Sequence, residues 1–151
     1  ILRKYEGAVR GLELLDRTFL RTVDSVDIPL LGFIAAGRPI QPYTDPNAIF
    51  KVPPDLVSNT SRSYVLKVTG DSMIEAGILD GAYVVVEERQ DATNGEIVVD
   101  LLDNGFATLK RFFREATRVR LEPANSTMQP IFATNVRVQG KVVGLIRKFA
   151  N

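Results

Sequence analysis

The chain has 151 residues, with 19 basic and 18 acidic side chains and a formal net charge of +1, a composition typical of a globular domain. It contains neither His nor Cys, which excludes a Ser-His-Asp triad, a thiol nucleophile, a disulfide framework and a zinc site built on His or Cys. Acid–base chemistry in this chain therefore depends on carboxylates, Lys or Tyr. Residues 107–151 carry nine Lys and Arg against two Glu, which fits either solvated strand faces or a surface that meets a polyanion.

The sequence has no apolar run of about 18 residues and no signal-peptide pattern at its start, so we expect no membrane association. It opens on Ile1 rather than Met, and we expect a fragment that begins partway through a longer protein. Residues 1–5 and 9–14 flank Glu6-Gly7 and predict a small hairpin. Residues 16–27 are rich in acidic side chains without a core pattern and predict a linker.

The main domain is predicted to start near residues 30–34 and to consist mostly of short strands. Runs rich in β-branched and aromatic residues alternate with turn signals such as Asp80-Gly81 and Asn94-Gly95, which predicts an antiparallel barrel or sandwich. Only residues 72–78 suggest a short helix. The predicted strands are 64–68, 82–87, 96–102, 106–113, 119–121 and 136–146.

The first feature of chemical interest is a stretch of small residues at 34–40. Because Pro39 disfavours a helical conformation at Arg38, this end of the stretch should be extended. An extended backbone with small side chains, as at Ala36 and Gly37, is what a peptidase cleft accepts as substrate. A plain surface loop explains the same residues.

The second feature is Ser72, which follows Gly70 at the end of a predicted strand and precedes a predicted helical turn. A strand, a tight turn and a helix present a serine hydroxyl and nearby backbone N–H groups to one point, which suits a nucleophile with an oxyanion hole. Ser72 and Glu75 also have the spacing of a capping box, which is a purely structural alternative.

The third feature is Lys110, which shares one face of a predicted strand with Thr108 and Phe112. Burial against apolar groups lowers the pKa of a Lys, and its neutral amine can then act as a base. The alternative is a Lys on an edge strand that keeps its charge in water.

The order of these three features resembles the LexA repressor family and its Ser-Lys self-cleaving domain. Ser72 follows Ala36 by 36 residues and Lys110 follows Ser72 by 38 residues, as in the family's pattern. The resemblance extends from about residue 28 to residue 148. Supporting stretches are Leu30-Leu-Gly, Ile78-Leu-Asp-Gly81, Asn94-Gly-Glu-Ile-Val-Val99, Leu121-Glu-Pro-Ala-Asn-Ser126 and Gly140-Lys-Val-Val-Gly-Leu-Ile-Arg147.

The resemblance implies a cleavage of the chain by itself, between Ala36 and Gly37. Ser72 Oγ would attack the carbonyl of Ala36, and neutral Lys110 would accept the Ser72 proton and pass it to the leaving amine of Gly37. The backbone N–H groups of Asp71 and Ser72 would stabilise the oxyanion. Neither a metal nor an organic cofactor is required.

The resemblance also implies an organisation and partners. Residues 1–15 would end a winged helix-turn-helix DNA-binding domain, 16–27 would be the linker, and 28–151 would form a mostly β, LexA/signal-peptidase-like autopeptidase and dimerisation domain. The parent protein would repress DNA-damage (SOS) genes in the bacterial cytoplasm. It would bind operator DNA through the mostly absent N-terminal domain, form a homodimer around residues 142–146, and cleave itself when stimulated by the RecA filament on single-stranded DNA.

Other proteins fit parts of this pattern. A phage-type repressor or a polymerase-accessory protein of the same peptidase fold is one alternative, although some accessory members cleave at Cys-Gly and this chain has no Cys. A signal peptidase shares the Ser-Lys chemistry but needs a membrane anchor. A non-catalytic β dimer that only presents a DNA-binding domain is a third.

Overall fold

The computed structural model describes residues 25–149, which form ten strands and two short 3-10 helices. The predicted hairpin of residues 1–15 and most of the predicted linker lie outside these residues. The helices are Pro54–Leu56 and Ile74–Ala76. The strands are β1 (Val26–Ala35), β2 (Gln41–Pro42), β3 (Ile49–Val52), β4 (Ser63–Thr69), β5 (Tyr83–Glu88), β6 (Ile97–Leu102), β7 (Ala107–Arg114), β8 (Val119–Glu122), β9 (Ile131–Ala133) and β10 (Val136–Ile146).

The strands form one sheet in the order β2-β1-β4-β5-β10-β6-β7-β8-β9, with β3 paired to β1. Every pair is antiparallel except β1 with β4, which is parallel. The prediction of a mostly β fold of short antiparallel strands is confirmed. β1 begins at Val26, so the last two residues of the predicted linker, Val26 and Asp27, pair with β3.

The runs rich in β-branched and aromatic residues all lie in strands, with ends that differ by at most one or two residues from the prediction. The long strand β1 and the short strands β2, β3 and β9 were not among the predicted strands. The predicted helix over 72–78 is only the single 3-10 turn Ile74–Ala76, because Gly77 adopts a left-handed conformation with φ of 85° and ends it.

Three buried apolar clusters lie along the sheet, and two of them border the residues of chemical interest. One packs between β1, β4, β5, β6 and β7 and includes Ile34, Leu66 and Met73. Another lies on the opposite side of β6 and β7 and includes Val98 and Phe112. β7 is therefore buried on both faces over residues 107–110, which is why its inward polar side chains lose contact with water. Within residues 25–149 no helix is long and apolar enough to cross a membrane.

Candidate active site

Ser72 lies in a tight turn directly after β4. Gly70 has φ of 99°, a conformation that favours glycine, and its N–H donates a hydrogen bond of 2.7 Å to Asp80 Oδ1. The chain therefore reverses at the end of the strand and presents Ser72, which is half-buried, over the neighbouring part of the sheet.

The hydroxyl of Ser72 does not cap the following helix. The N-cap position is Met73 and has no side-chain capping bond. Glu75, the other residue of the expected capping box, instead accepts a hydrogen bond of 2.8 Å at Oε2 from the N–H of Ser126, which holds the pKa of Glu75 below its usual value. The structural alternative for Ser72 is therefore wrong.

A second segment, residues 124–126, fixes the position of this turn. The Asn125 side chain donates from Nδ2 to the carbonyl of Asp71 at 2.9 Å, and Ala124 accepts from the N–H of Glu75 at 2.7 Å. Asn125 is almost fully buried, so these bonds are shielded from water. Sequence analysis gave this segment no role, and the only signal was its place in the family resemblance.

Lys110 lies on β7, where β6 pairs with it, and only 3% of its surface is exposed. The alternative of a solvated Lys on an edge strand is therefore wrong. Its Nζ donates to Ser72 Oγ at 3.3 Å and to the carbonyl of Leu109 at 3.3 Å. The two residues are 38 positions apart in the chain and meet because the turn after β4 lies over β7.

Burial sets the protonation of this amine. It lowers the pKa of Lys110, because the ammonium form loses its hydration in the interior, while the negative charge of Asp100 opposes the shift. A Lys with a lowered pKa carries a neutral amine at lower pH than a Lys in water, and the neutral amine has a lone pair that can accept the proton of Ser72.

The small residues predicted as a substrate loop connect β1 and β2. Ala36 and Gly37 form a turn in which Gly37 has φ of 76°. The next residue, Arg38, accepts a hydrogen bond of 2.9 Å at its carbonyl from the N–H of Ala107 on β7. This bond holds the loop against the strand that carries Lys110.

Ala36 and Ser72 line the same cleft, which has a volume of about 260 Å³. Gly70, Asp71 and Met128 contribute to its wall. Among residues 25–149, neither the N–H of Asp71 nor that of Ser72 donates a hydrogen bond to a protein acceptor. The structure thus places Ala36, Ser72 and the predicted oxyanion donors of Asp71 and Ser72 around one cleft, while Lys110 contacts Ser72 from β7.

Comparison with known proteins shows the family of the chain. Residues 29–143 match the family model described as Peptidase S24-like. The chain is 43% identical to the LexA repressor of Clostridium botulinum (strain Langeland) over 149 residues, which cover 99% of this chain and 73% of that protein. It is 45% identical to the LexA repressor of Pelotomaculum thermopropionicum over 147 residues, which cover 97% of this chain and 71% of the relative. The chain belongs to the LexA repressor family.

Within the described part of the chain, no group of three or more acidic side chains lies close enough together to hold a metal ion. The residues of the predicted site supply a hydroxyl, an amine and backbone N–H groups.

Asp100, on the strand that pairs with the Lys110 strand, is a buried acidic residue that sequence analysis did not single out. It is completely buried on β6, and burial raises its pKa to about 7, against the attraction of the positive charge of Lys110. The sequence gave one signal that could have found it, an acidic residue inside an otherwise apolar strand of Ile, Val and Leu.

Proposed function

We propose that this chain is a serine endopeptidase that cuts its own backbone between Ala36 and Gly37, with Ser72 as nucleophile and Lys110 as general base. The observation that carries the proposal is the 3.3 Å contact between Lys110 Nζ and Ser72 Oγ. The Lys110 amine is buried and contacts a serine hydroxyl that caps no helix. The described residues give this contact no evident role in stabilising the fold.

The reaction has two steps in which each atom has a defined partner. In the first, neutral Lys110 accepts the Ser72 proton as Oγ bonds to the carbonyl carbon of Ala36, and the N–H groups of Asp71 and Ser72 stabilise the oxyanion. Collapse of this intermediate breaks the Ala36–Gly37 bond, and the ammonium of Lys110 protonates the leaving amine of Gly37. In the second, Lys110 takes a proton from water as the water oxygen bonds to the acyl carbon of Ala36. The bond between that carbon and Ser72 Oγ then breaks, Lys110 returns the proton to Oγ, and Ala36 leaves with a free carboxyl group that ionises in water.

Substrate and catalyst share one chain, which makes the reaction unimolecular. The loop is already held at the cleft by the bond between Arg38 and Ala107. The rate then depends on how often the Ala36 carbonyl reaches Ser72 in the reactive geometry, and not on a bimolecular encounter.

In its wider role we infer a cytoplasmic bacterial repressor of SOS genes, an inference supported by the similarity of the chain to LexA repressors. Operator DNA would be bound by a winged helix-turn-helix domain, of which residues 1–15 would be the end. Self-cleavage would separate that domain from the dimerising part. The RecA filament on single-stranded DNA would accelerate cleavage by binding the form with the loop in the cleft better than other forms.

A free stretch of sheet edge supports the proposed homodimer. Residues 142–146 of β10 pair with β5 on one side, and the ladder between β10 and β6 ends at Lys141. Among residues 25–149 no strand covers the other side of this segment. Leu145 is 43% exposed there, so pairing with a second copy would satisfy backbone groups and bury apolar surface together.

Incubation of the purified chain at alkaline pH, followed by intact-mass spectrometry, tests the proposal. We expect two fragments, 1–36 and 37–151, from the wild-type protein and none from Ser72→Ala. Ser58→Ala is the matched control, because Ser58 lies away from the cleft and bonds only to its own loop. Equal cleavage in Ser72→Ala would remove Ser72 as nucleophile, and a folded wild-type protein that yields no fragments would favour the non-catalytic dimer.

A further inference from the structure

Asp100 carries a carboxylate that the proposed reaction does not use. Its exposed fraction is 0%, and neither Oδ1 nor Oδ2 accepts a hydrogen bond from any residue of the described range 25–149. No ion pair in that range includes it. A buried carboxylate without a donor is costly to ionise, and such a group commonly has a role at a nearby functional site.

The register of the sheet places Asp100 beside Lys110. Asp100 lies opposite Thr108, and Val98 lies opposite Lys110, so the carboxylate and the amine project from the same face of adjacent strands. Lys110 is the diagonal neighbour of Asp100, a relation in which the Cα atoms of antiparallel strands are roughly 7–8 Å apart. A long Lys side chain bridges much of such a distance.

Lys110 is the charged group that faces Asp100 from the neighbouring strands. Across β10 the partner of Asp100 is Val138, and Thr108, opposite on β7, is uncharged and has an unpaired hydroxyl. Within the described residues, Lys110 is the charged group that shifts the pKa of Asp100, and Asp100 is the charged group that shifts the pKa of Lys110. Arg114, opposite Val119 at the end of β7, shares this face but is exposed, and its guanidinium lies over the Phe112 ring. The remaining side chains on this face are apolar: Val98, Leu102, Phe112, Val119, Leu121, Val136 and Val138.

The two groups therefore titrate as a coupled pair. An ionised Asp100 stabilises the ammonium of Lys110, whereas burial favours the neutral forms of both. Because the pKa of Asp100 is raised to about 7, its carboxylate is present near neutral pH and above. Over that range it opposes deprotonation of the amine that must act as the base.

We propose that Asp100 is a positioning residue that acts through Lys110: its buried carboxylate keeps the proton on the amine and so slows self-cleavage near neutral pH. This inference rests on the proposed function for its effect on cleavage. Its effect on Lys110 itself does not require cleavage to occur.

The direct test is an NMR titration of Lys110 in Ser72→Ala protein, which is not expected to cleave. The Cε and Nζ resonances of Lys110 are followed against pH with Asp100 present and with Asp100→Asn. We expect the midpoint to fall in the Asp100→Asn protein, and an unchanged or higher midpoint would overturn the inference. Asp103→Asn is the matched control, because Asp103 is exposed and follows β6.

The second readout is the cleavage rate as a function of pH with Ser72 intact. Opposite charges at close range commonly shift a pKa by a unit or more, and each unit changes the neutral fraction tenfold, so Asp100→Asn should cleave about tenfold faster at neutral pH. The maximum rate at high pH should be unchanged, because the reactive groups are the same. A lower maximum without a shift of the profile would mean a merely structural role.

A third variant, Asp100→Ala, tests whether the effects of Asp100→Asn arise from misfolding. Burying the Asn amide without partners has its own cost, so Asp100→Ala is measured beside it, with near-ultraviolet circular dichroism as the check of packing. In both Asp100→Asn and Asp100→Ala the midpoint of the Lys110 titration should fall. If the Lys110 midpoint falls but no variant cleaves, the proposed function fails while the coupling stands; if cleavage occurs and the midpoint does not move, the inference fails alone.

Discussion

Position 37 favours glycine because of its backbone conformation, and not because a side chain would lack space there. Its φ is 76°, yet no atom lies within 4 Å of the position that a Cβ would take. A β-branched residue in this region costs about 1–2 kcal/mol, so Gly37→Val should shift the turn away from the cleft and slow self-cleavage by about tenfold. Gly37→Asn should slow self-cleavage much less, because Asn tolerates a left-handed backbone conformation.

The control for Gly37 separates the substrate loop from the catalytic groups. Gly37→Val protein is mixed with Ser72→Ala protein, whose loop is unchanged and whose nucleophile is absent. We expect Gly37→Val to cut the Ser72→Ala chain at the wild-type rate for cleavage in trans. If it cuts neither chain, the substitution has damaged the fold, and the assignment of Gly37 to the substrate loop loses its support.

At this scale the sequence predicted the chemistry of Ser72 and Lys110 but did not separate it from structural alternatives. For Ser72 the alternative was a helix cap, which is removed by the missing side-chain bond at the N-cap and by the contact between Glu75 and Ser126, far apart in the chain. Asp100 was missed because alternation along β6 cannot tell that both faces of the strand are covered. Burial of this kind depends on tertiary packing, which local patterns do not contain.

The turn between β4 and the second 3-10 helix depends on a segment that is distant in sequence. Asn125→Ala removes the donor to the Asp71 carbonyl and leaves a shielded acceptor unpaired, which should lower the free energy of unfolding by about 1–3 kcal/mol. Cleavage should slow as well, because the same bond holds the backbone beside Ser72. Urea unfolding and the fragment assay on one preparation measure both effects.

Asn135→Ala is the matched control for this prediction. Asn135 is exposed and makes only a long contact of 3.5 Å to Asp103, so its loss should change stability by less than about 0.5 kcal/mol. If Asn125→Ala is as stable and as active as Asn135→Ala, the segment 124–126 does not hold the turn.

The strands differ in how well the sequence predicts them. β4, β5, β6 and β10 are rich in Val, Ile and Leu and are bounded by turn residues, so composition and turn signals were sufficient. β2 has two residues and β9 has three, too few for any period, and both exist because a longer strand pairs with them. The parallel pairing of β1 with β4 joins residues more than 30 positions apart and has no local signal.

Assembly of the whole molecule should depend on the free edge of β10. Leu145→Asp places a charge on that edge and should weaken the proposed homodimer by tenfold or more, an effect of about 1.4 kcal/mol. Sedimentation over a concentration series measures the change. Leu79→Asp is the control, because Leu79 is 39% exposed in a loop outside the sheet. An equal effect of the two substitutions, or none from Leu145→Asp, would place the interface elsewhere.

The proposed self-cleavage depends on the whole molecule, because it needs the substrate loop, the turn that carries Ser72 and the strand β7 to meet at one cleft. Its central requirement is a neutral Lys110. Burial lowers the pKa of this Lys, so the neutral fraction, and with it the rate, should rise with pH and level off below the usual Lys value of about 10.4. A partner that buries Lys110 further would move the same rise to lower pH.

The most direct measurement is the rate of formation of the fragments 1–36 and 37–151 between about pH 6 and pH 10.5, the range that brackets the expected titration. Lys110→Ala is measured beside the wild-type chain. We predict a rise with pH in the wild type, as Lys110 loses its proton, and no cleavage above background in Lys110→Ala at any pH. A flat wild-type profile, or undiminished cleavage in Lys110→Ala, would contradict the role of Lys110 as the base that activates Ser72.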